Sequence, residues 1–231
     1  HYSNTHVFTQ VFNQPDRFGG DEKFAEGLVN RLSILSAAPT SQKDTGSAPY
    51  VKTSVFGGGD IKDSIWNFSG MSAPIKILQD NTYGVGVTIS TPPLPDTPNF
   101  DGTVRSAPLI VSANDQIYPS VALETLRAFY DQPNYQTRVT PEVGIEWIRM
   151  GRQPPIETTS TSDVMITYWN DFDRISASDL TEKTLHGHDG ISDKILIWGM
   201  TAEGFNNPVS TPYGVMYPHE VQANLLQTVI S

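Results

Sequence analysis

The chain of 231 residues contains no cysteine, and this absence excludes several kinds of chemistry at once. Disulfides, thiolate nucleophiles, cysteine-ligated zinc sites and iron–sulfur clusters all need a thiol, which this chain does not supply. The absence does not indicate a compartment, because a chain without thiols suits oxidising and reducing surroundings equally well.

Positive charge is also scarce in this sequence. The chain has 15 Lys and Arg residues against 25 Asp and Glu residues, which gives a formal net charge of −10. Nucleic acids and anionic membrane surfaces are bound by concentrated cationic surfaces, so this balance argues against both as partners. No apolar run approaches the roughly 20 residues that a membrane helix requires.

The composition is that of a turn-rich globular domain, with 38 % hydrophobic residues, 18 Gly and 17 Pro. The length, with no internal repeat and no sharp change of composition, predicts a single domain over residues 1–231 with a sizeable core. Candidate strands alternate with candidate helices, and the connections between them are long and rich in Pro, Gly and Ser. This pattern predicts a layered α/β fold, in which a mixed β-sheet has flanking helices.

Local signals predict individual elements. Ile195–Trp198 is a short apolar run bounded by turns, which predicts a buried strand, and Ile75–Leu78 is also a candidate strand. Asn114-Asp115 predicts a tight turn, and Ser120 before an apolar periodic segment predicts a capped helix. Spacings of three and four residues between apolar side chains predict one long helix that begins near residue 21 and ends before Pro39. Its apolar face would carry Phe24, Leu28, Leu32 and Leu35.

The best candidate metal site consists of His186, His188 and Asp189. Imidazole and carboxylate groups at short spacing suit zinc or a similar ion, and such a site would support metal-assisted hydrolysis. The alternative is a solvated loop, because Gly187 precedes His188 and Gly190 follows Asp189, and glycines on each side favour an irregular loop. No other feature of the sequence predicts a cofactor.

Two glycines follow the predicted strand Ile195–Trp198 at a spacing that is found in phosphate-binding loops. Gly199 and Gly204 are separated by four residues, but a phosphate loop needs Lys and Ser or Thr directly after the second glycine. Phe205 stands there instead. The pattern therefore predicts a tight structural turn.

Polar residues at the ends of predicted strands are the candidate ligand-binding residues, because α/β folds tend to bind ligands there. Thr201, Glu203 and Thr211 follow the strand Ile195–Trp198. Asp101 and Arg105 accompany a turn before another strand. For these last two residues the alternative is an ion pair that only stabilises the turn.

Several longer segments, taken in order, carry a resemblance to one family. KILIWGMTAEG at 194–204 is followed by STPYG at 210–214 and MYPHEVQAN at 216–224. VFNQPD at 11–16, DGTVRSAP at 101–108, YPSVAL at 118–123 and ISASD at 175–179 precede them. Together these segments resemble the CHASE domains of the second type, which are extracytoplasmic sensory modules of bacterial receptors. The chain departs from the family pattern at His219, where the family usually has Gly, and at Gln222, where it often has His.

The resemblance implies a non-catalytic sensory module that binds a small-molecule or protein signal. The module would lie on the periplasmic or extracellular face of a bacterial inner-membrane protein, whose membrane segments and kinase or cyclase output domain lie outside this chain. Signals would pass through the helix expected at His219–Ile230, and sensors of this kind often form homodimers. Family members usually begin with a further strand and helix, which this chain is expected to lack. The hydrolase centred on His186 and a non-catalytic envelope interaction domain remain the alternatives.

Overall fold

The computed structural model describes residues 5–29, 31–42, 60–169, 171–180, 194–202, 204 and 207–231, together with the backbone of residues 54–57. Its first half contains β1 (Thr5–Phe8), α1 (Asp21–Leu28), β2 (Leu32–Thr40), β3 (Ser54–Gly57), β4 (Asn67–Phe68), β5 (Gly70–Ser72), α2 (Lys76–Gln79), β6 (Gly84–Val87), β7 (Ser106–Pro108) and β8 (Ile110–Ala113). Then follow β9 (Gln116–Pro119), α3 (Val121–Phe129), β10 (Gln136–Thr140), β11 (Gly144–Arg149), β12 (Ile156–Glu157), β13 (Asp163–Met165), β14 (Ile195–Trp198), β15 (Val209–Thr211), β16 (Gly214–Met216) and α4 (Pro218–Ile230). Residues 177–180 are also helical.

The main sheet consists of parallel strands in the order β14, β1, β2 and β6, and β5 pairs antiparallel with the end of β2. Helices cover both faces of this sheet. Leu35 and Ala37 of β2 pack with residues of α1 and α2 on one face, whereas Ile34 packs with residues of α3 on the other. The predicted α/β fold with a mixed sheet and flanking helices is therefore confirmed.

Two predicted elements near this sheet are wrong. The helix that begins at Asp21 ends at Leu28, and Leu32–Thr40 is strand β2. Strand β2 is paired along both edges and buried on both faces, so its apolar residues form a continuous run rather than an alternating one. Residues Lys76–Gln79 form the short helix α2 instead of the strand predicted there, because a brief apolar run fits either structure.

Strand β14 is confirmed at Ile195–Trp198, but it is half-buried and lies at the outer edge of the main sheet. It pairs with β1, and aromatic rings stack across the pair. The Trp198 ring lies 6.0 Å from the His6 ring and 5.7 Å from the Phe8 ring, at interplanar angles of 15° and 10°. Trp198 Nε1–H also donates a hydrogen bond to His6 Nδ1 at 3.1 Å. This cluster secures the outermost strand.

Shorter sheets build a second region beyond α3. They are β12-β11-β10-β3, β13-β7 and the hairpin β15-β16. The remaining sheet, β4-β8-β9, contacts both regions, because Ile110 packs with the residues of this region whereas Val111 and Tyr118 pack with the residues on the α1 face of the main sheet. The largest buried apolar cluster lies here, and it combines strand residues such as Ile145 and Ile148 with Leu123 of α3 and Leu225 of α4. Helix α3 consequently lies between this cluster and the main sheet.

The burial of α3 demands close packing and complete pairing of its polar groups. Its residues Val121–Ala128 are all buried, and Ser120 caps the helix as predicted by accepting a hydrogen bond from Leu123 N–H at 3.2 Å. On the sheet side, a Cβ atom on Gly84 would lie 2.0 Å from Glu124 Oε1, and one on Gly86 would lie 2.5 Å from Val121 Cα. These two glycines of β6 therefore allow the helix to approach the strand.

An ion pair lies within this buried helix. Arg127 donates to the Glu124 carboxylate through Nη2 at 2.6 Å and through Nε at 2.7 Å, and the two residues are 7 % and 0 % exposed. Arg127 Nη1 also donates to Gln132 O at 2.6 Å, and its guanidinium lies 5.4 Å from the Tyr83 ring. Because water does not solvate either charge, each charge is stabilised mainly by the other.

Removing one member of this ion pair will destabilise the chain strongly. Arg127→Met leaves the Glu124 carboxylate buried without a counter-charge, so we expect the free energy of unfolding to fall by about 3–5 kcal/mol. Replacing both residues, as Glu124→Leu with Arg127→Met, should recover most of that loss, because no uncompensated charge remains. Urea denaturation followed by circular dichroism measures both effects.

The exposed pair between Lys76 and Asp80, at 2.7 Å, provides the control for that experiment. Lys76→Met removes a pair of the same type in water, and we expect a change below about 1 kcal/mol. If Lys76→Met and Arg127→Met lowered the free energy of unfolding by similar amounts, burial would not be the reason why the pair between Glu124 and Arg127 matters for stability.

His6 should make stability depend on pH. Burial, and secondarily the charge of Arg31, lower its pKa below the usual value of 6.5. The unfolded chain therefore binds more protons than the folded chain as the pH falls below 6.5. The free energy of unfolding consequently decreases on acidification, whereas the contribution of neutral His6 is complete above pH 6.5.

We expect His6→Gln, which keeps an acceptor for Trp198 but does not titrate, to lose less stability between pH 7.5 and 5.5 than the parent chain. The comparison needs urea denaturation at several pH values, with the His6 imidazole pKa followed by NMR. Equal pH dependence in both proteins, or a His6 pKa of 6.5 or above, would refute this assignment.

Candidate functional site

A pocket opens where parallel strands β2 and β6 end and helix α4 begins. Its volume is about 380 Å³. Parallel α/β sheets bind ligands beyond the carboxyl ends of their strands, so this position is a typical one for a binding site. The lining residues are Ala38, Pro39, Phe68, Thr88, Ile89, Ser90, Val104, Val209, Pro218, Val221 and Gln222.

Hydrogen bonds fix the strand ends that form one wall of the pocket. Thr88 N–H donates to Ala37 O at 2.9 Å, which continues the pairing of β6 with β2. The Thr88 hydroxyl donates to Ser36 Oγ at 2.9 Å, and the Ser36 hydroxyl donates to Phe8 O at 2.7 Å. This chain of hydrogen bonds ties together the ends of β6, β2 and β1.

The first turn of α4 forms the opposite wall. Pro218 is its first residue, and the Glu220 carboxylate accepts a hydrogen bond from Tyr217 N–H at 2.8 Å. Glu220 also pairs with Arg174 at 2.9 Å. The positive end of the helix therefore already has a negative charge beside it. Since none of the described residues that line the pocket has an ionisable side chain, this lining is electrically neutral.

A buried polar network beside the pocket was not predicted from the sequence. Asp163, at the start of β13, is 3 % exposed, and its carboxylate accepts hydrogen bonds from Trp66 Nε1–H at 3.1 Å and from the Thr91 hydroxyl at 2.6 Å. The Thr161 hydroxyl donates to the same carboxylate. Asn99 extends the network by donating to Thr91 O at 2.8 Å. The network holds the segment between pocket residues Ser90 and Val104.

Asp101 and Arg105 form the ion pair that the sequence suggested. Arg105 Nη1 lies 2.7 Å from Asp101 Oδ1, and Nη2 lies 2.9 Å from Oδ2. Hydrogen bonds from Arg105 and from Thr103 N–H hold the pKa of the Asp101 carboxyl well below its usual range. Arg105 Nη1 also donates to Pro98 O at 2.9 Å. This geometry closes the turn itself, and a ligand-binding role for the pair stays a prediction.

The other predicted ligand-binding residues lie on separate turns. The Thr211 hydroxyl donates to Gly214 O at 2.7 Å and accepts from Tyr213 N–H at 3.2 Å, so it stabilises the β15-β16 turn. Thr201 is exposed, and its carbonyl accepts from the Tyr217 hydroxyl at 3.4 Å. None of these residues lines the pocket. Val104, directly before Arg105, does line it, and its N–H donates to Ser210 O at 2.8 Å, which joins that turn to β15.

The predicted metal ligands His186, His188 and Asp189 lie outside the described residues, as does Glu203. Among the residues that are described, no three His, Asp or Glu side chains are grouped so that they would hold a metal ion. The metal site stays a prediction.

The two glycines after β14 have structural roles. A Cβ atom on Gly199 would lie 2.1 Å from His219 Cγ, so the absence of a side chain lets the His219 ring pack there. Gly204 has a φ of +83°, a conformation that favours glycine. Both observations favour the structural turn over a phosphate-binding loop.

Comparison with known proteins adds an independent finding. The family model described as the CHASE2 domain matches residues 5–231. No curated protein and no solved structure matches the chain. In the described part of the chain, no helix has both the length and the apolar character needed to cross a membrane. Since the match extends over nearly all 231 residues, the chain belongs to the CHASE2 domains, a family of extracytoplasmic sensory domains of bacterial receptors.

Proposed function

We propose that the chain is the ligand-sensing module of a bacterial transmembrane receptor and that its effector acts at the pocket between the main sheet and α4. One observation carries this proposal. Helix α4 contributes Pro218, Val221 and Gln222 to the pocket and continues without interruption to Ile230. A single helix therefore connects the pocket with the end of the domain that would lead to the membrane.

A ligand changes a receptor only if it binds two arrangements of the protein with different affinities. The contacts of α4 provide a second element that would move with it. Asn224 Oδ1 accepts from Trp169 N–H at 2.5 Å, and the Thr228 hydroxyl accepts from Thr167 N–H at 2.9 Å. A shift of α4 at the pocket would thus be shared by the segment after β13.

The remaining parts of the proposed receptor lie outside this chain. They comprise the membrane segments and an output domain with kinase or nucleotide cyclase activity, and the module itself would face the periplasm or the exterior. Two copies would pair as a homodimer, because symmetric association couples two membrane-entering helices. The net charge of −10 suits an aqueous outer face. Among the described residues, no observation favours metal-assisted hydrolysis or an envelope interaction domain over this function.

The location is tested by topology reporters in the complete parent protein. A bacterial alkaline phosphatase fused after Ser231 should be active, because its disulfides form only outside the cytoplasm. A green fluorescent protein fused at the same residue and exported through the general secretory route should remain dark.

The same two reporters fused after the output domain provide the control and should give the opposite pattern. A fluorescent and phosphatase-inactive fusion after Ser231 would overturn the proposed location.

A further inference from the structure

The His219 ring joins the first turn of α4 to the end of β14. It packs on Gly199, where a Cβ atom would lie 2.1 Å from His219 Cγ and 2.2 Å from Nδ1, so the ring lies directly against the backbone. On α4, the Tyr217 ring stacks with it at 5.7 Å and an interplanar angle of 16°. Any change that moves this ring therefore alters the contact between α4 and β14.

One nitrogen of the ring suits the neutral imidazole alone. His219 Nδ1 is buried and has no hydrogen-bond partner among the described residues. A neutral imidazole carries a single proton, which Nε2 can hold while Nδ1 keeps its lone pair. The imidazolium carries a proton on both nitrogens, and a buried N–H without an acceptor is unfavourable. The packed position therefore accommodates the neutral ring and disfavours the cation.

The charged groups that face His219 do not offset this preference. Burial is the largest effect and lowers the pKa of His219 below 6.5, whereas Glu220 raises this pKa and Arg174 lowers it. The Glu220 carboxylate already pairs with Arg174 at 2.9 Å and accepts from Tyr217 N–H at 2.8 Å. The positive end of α4 disfavours a cation in the first turn as well.

The strand side of the contact is uncharged in its described part. Residues 195–202 carry no ionisable side chain. Lys194, directly before β14, pairs with Asp173 at 3.3 Å. Glu203 lies outside the described residues. No described residue of β14 or of the turn after it thus supplies a counter-charge for a protonated ring.

We infer that His219 is a pH-sensitive contact: the neutral ring holds the first turn of α4 on Gly199, and protonation of the ring releases it. The same turn lines the pocket through Pro218 and Val221, so release also changes one wall of the pocket. The proton is then an input that acts on α4 in addition to any pocket ligand. Its role in signalling rests on the proposed function, whereas the release itself is a property of the chain alone.

An NMR titration of the isotopically labelled chain tests the release directly. The His219 imidazole should titrate below pH 6.5. Nuclear Overhauser effects between its ring protons and the Gly199 Hα protons should be present at pH 7.5 and should disappear as the ring becomes protonated. Each unit by which the measured pKa lies below 6.5 corresponds to about a tenfold weakening of the contact at low pH.

Two variants fix the contact in one state or the other. His219→Phe keeps a ring that cannot be protonated, so its Overhauser effects to Gly199 should persist at both pH values. Gly199→Ala places a methyl group where the ring lies, and at pH 7.5 it should give the amide signals of Tyr217 and Val221 that the parent chain gives at acid pH. Gly27→Ala is the matched control, because its methyl group meets no atom within 4 Å, and it should leave these signals unchanged.

His6→Gln and Glu203→Gln remove other groups that titrate, and both variants should keep the pH-dependent Overhauser effects. Effects that persist once the His219 ring is protonated, or a His219 pKa of 6.5 or above, would overturn the inference, and neither measurement requires a variant. Loss of the pH dependence in Glu203→Gln would overturn it as well, because the titrating group would then be Glu203. None of these results depends on the topology reporters, so the pH-sensitive contact and the location of the module can fail separately.

Discussion

The burial of helix α3 is the constraint on which the rest of the structure depends. A helix between two layers has no solvent-facing side, so each polar group that it carries needs a partner within the protein. Glu124 and Arg127 satisfy one another, and the Thr125 hydroxyl donates to Val121 O at 2.7 Å. The strand beside the helix must in turn present glycines. Glycine and valine alternate along β6. Gly84 and Gly86 face α3 and allow its close approach, whereas Val85 and Val87 pack in the core on the other face.

The same architecture explains where the pocket lies. Helix α3 holds the main sheet and the second region together, and the pocket occupies the place where the strand ends of the sheet meet α4. The two carboxylates nearby have partners outside the pocket. Glu220 accepts a hydrogen bond at the start of α4, and Asp163 accepts hydrogen bonds from neutral donors that hold the segment between Ser90 and Val104. The acidic character of the whole chain therefore does not extend into the pocket, whose polar lining residues are Thr88, Ser90 and Gln222.

Sequence reasoning succeeded where a residue acts on its immediate neighbours. The Ser120 cap is such a case, and so is the tight turn at Asn114 and Asp115, whose φ angles are +49° and +62°. It failed at β2, whose apolar pattern is set by pairing with β1 and β6 rather than by its own periodicity. The pocket was also missed, because its lining comes from segments spread between residues 38 and 222, and no local motif marks their meeting. Asp101 and Arg105 were expected either to bind a ligand or to form an ion pair that stabilises the turn, and the structure shows this ion pair.

The position of β14 has a consequence for how the chain reaches its folded state. The hydrogen bond from the Thr9 hydroxyl to Trp198 O at this sheet edge joins residues 189 positions apart. Closing so long a segment has a high entropic cost, and contacts of this kind slow folding. In a chain that emerges amino-terminus first, one edge of β1 therefore has no partner until residues 195–198 emerge. During that interval the unpaired backbone groups of this edge can form hydrogen bonds with other chains. The main sheet is completed by one of the last segments to emerge, so the edge of β1 opposite β2 is exposed to aggregation until β14 pairs with it.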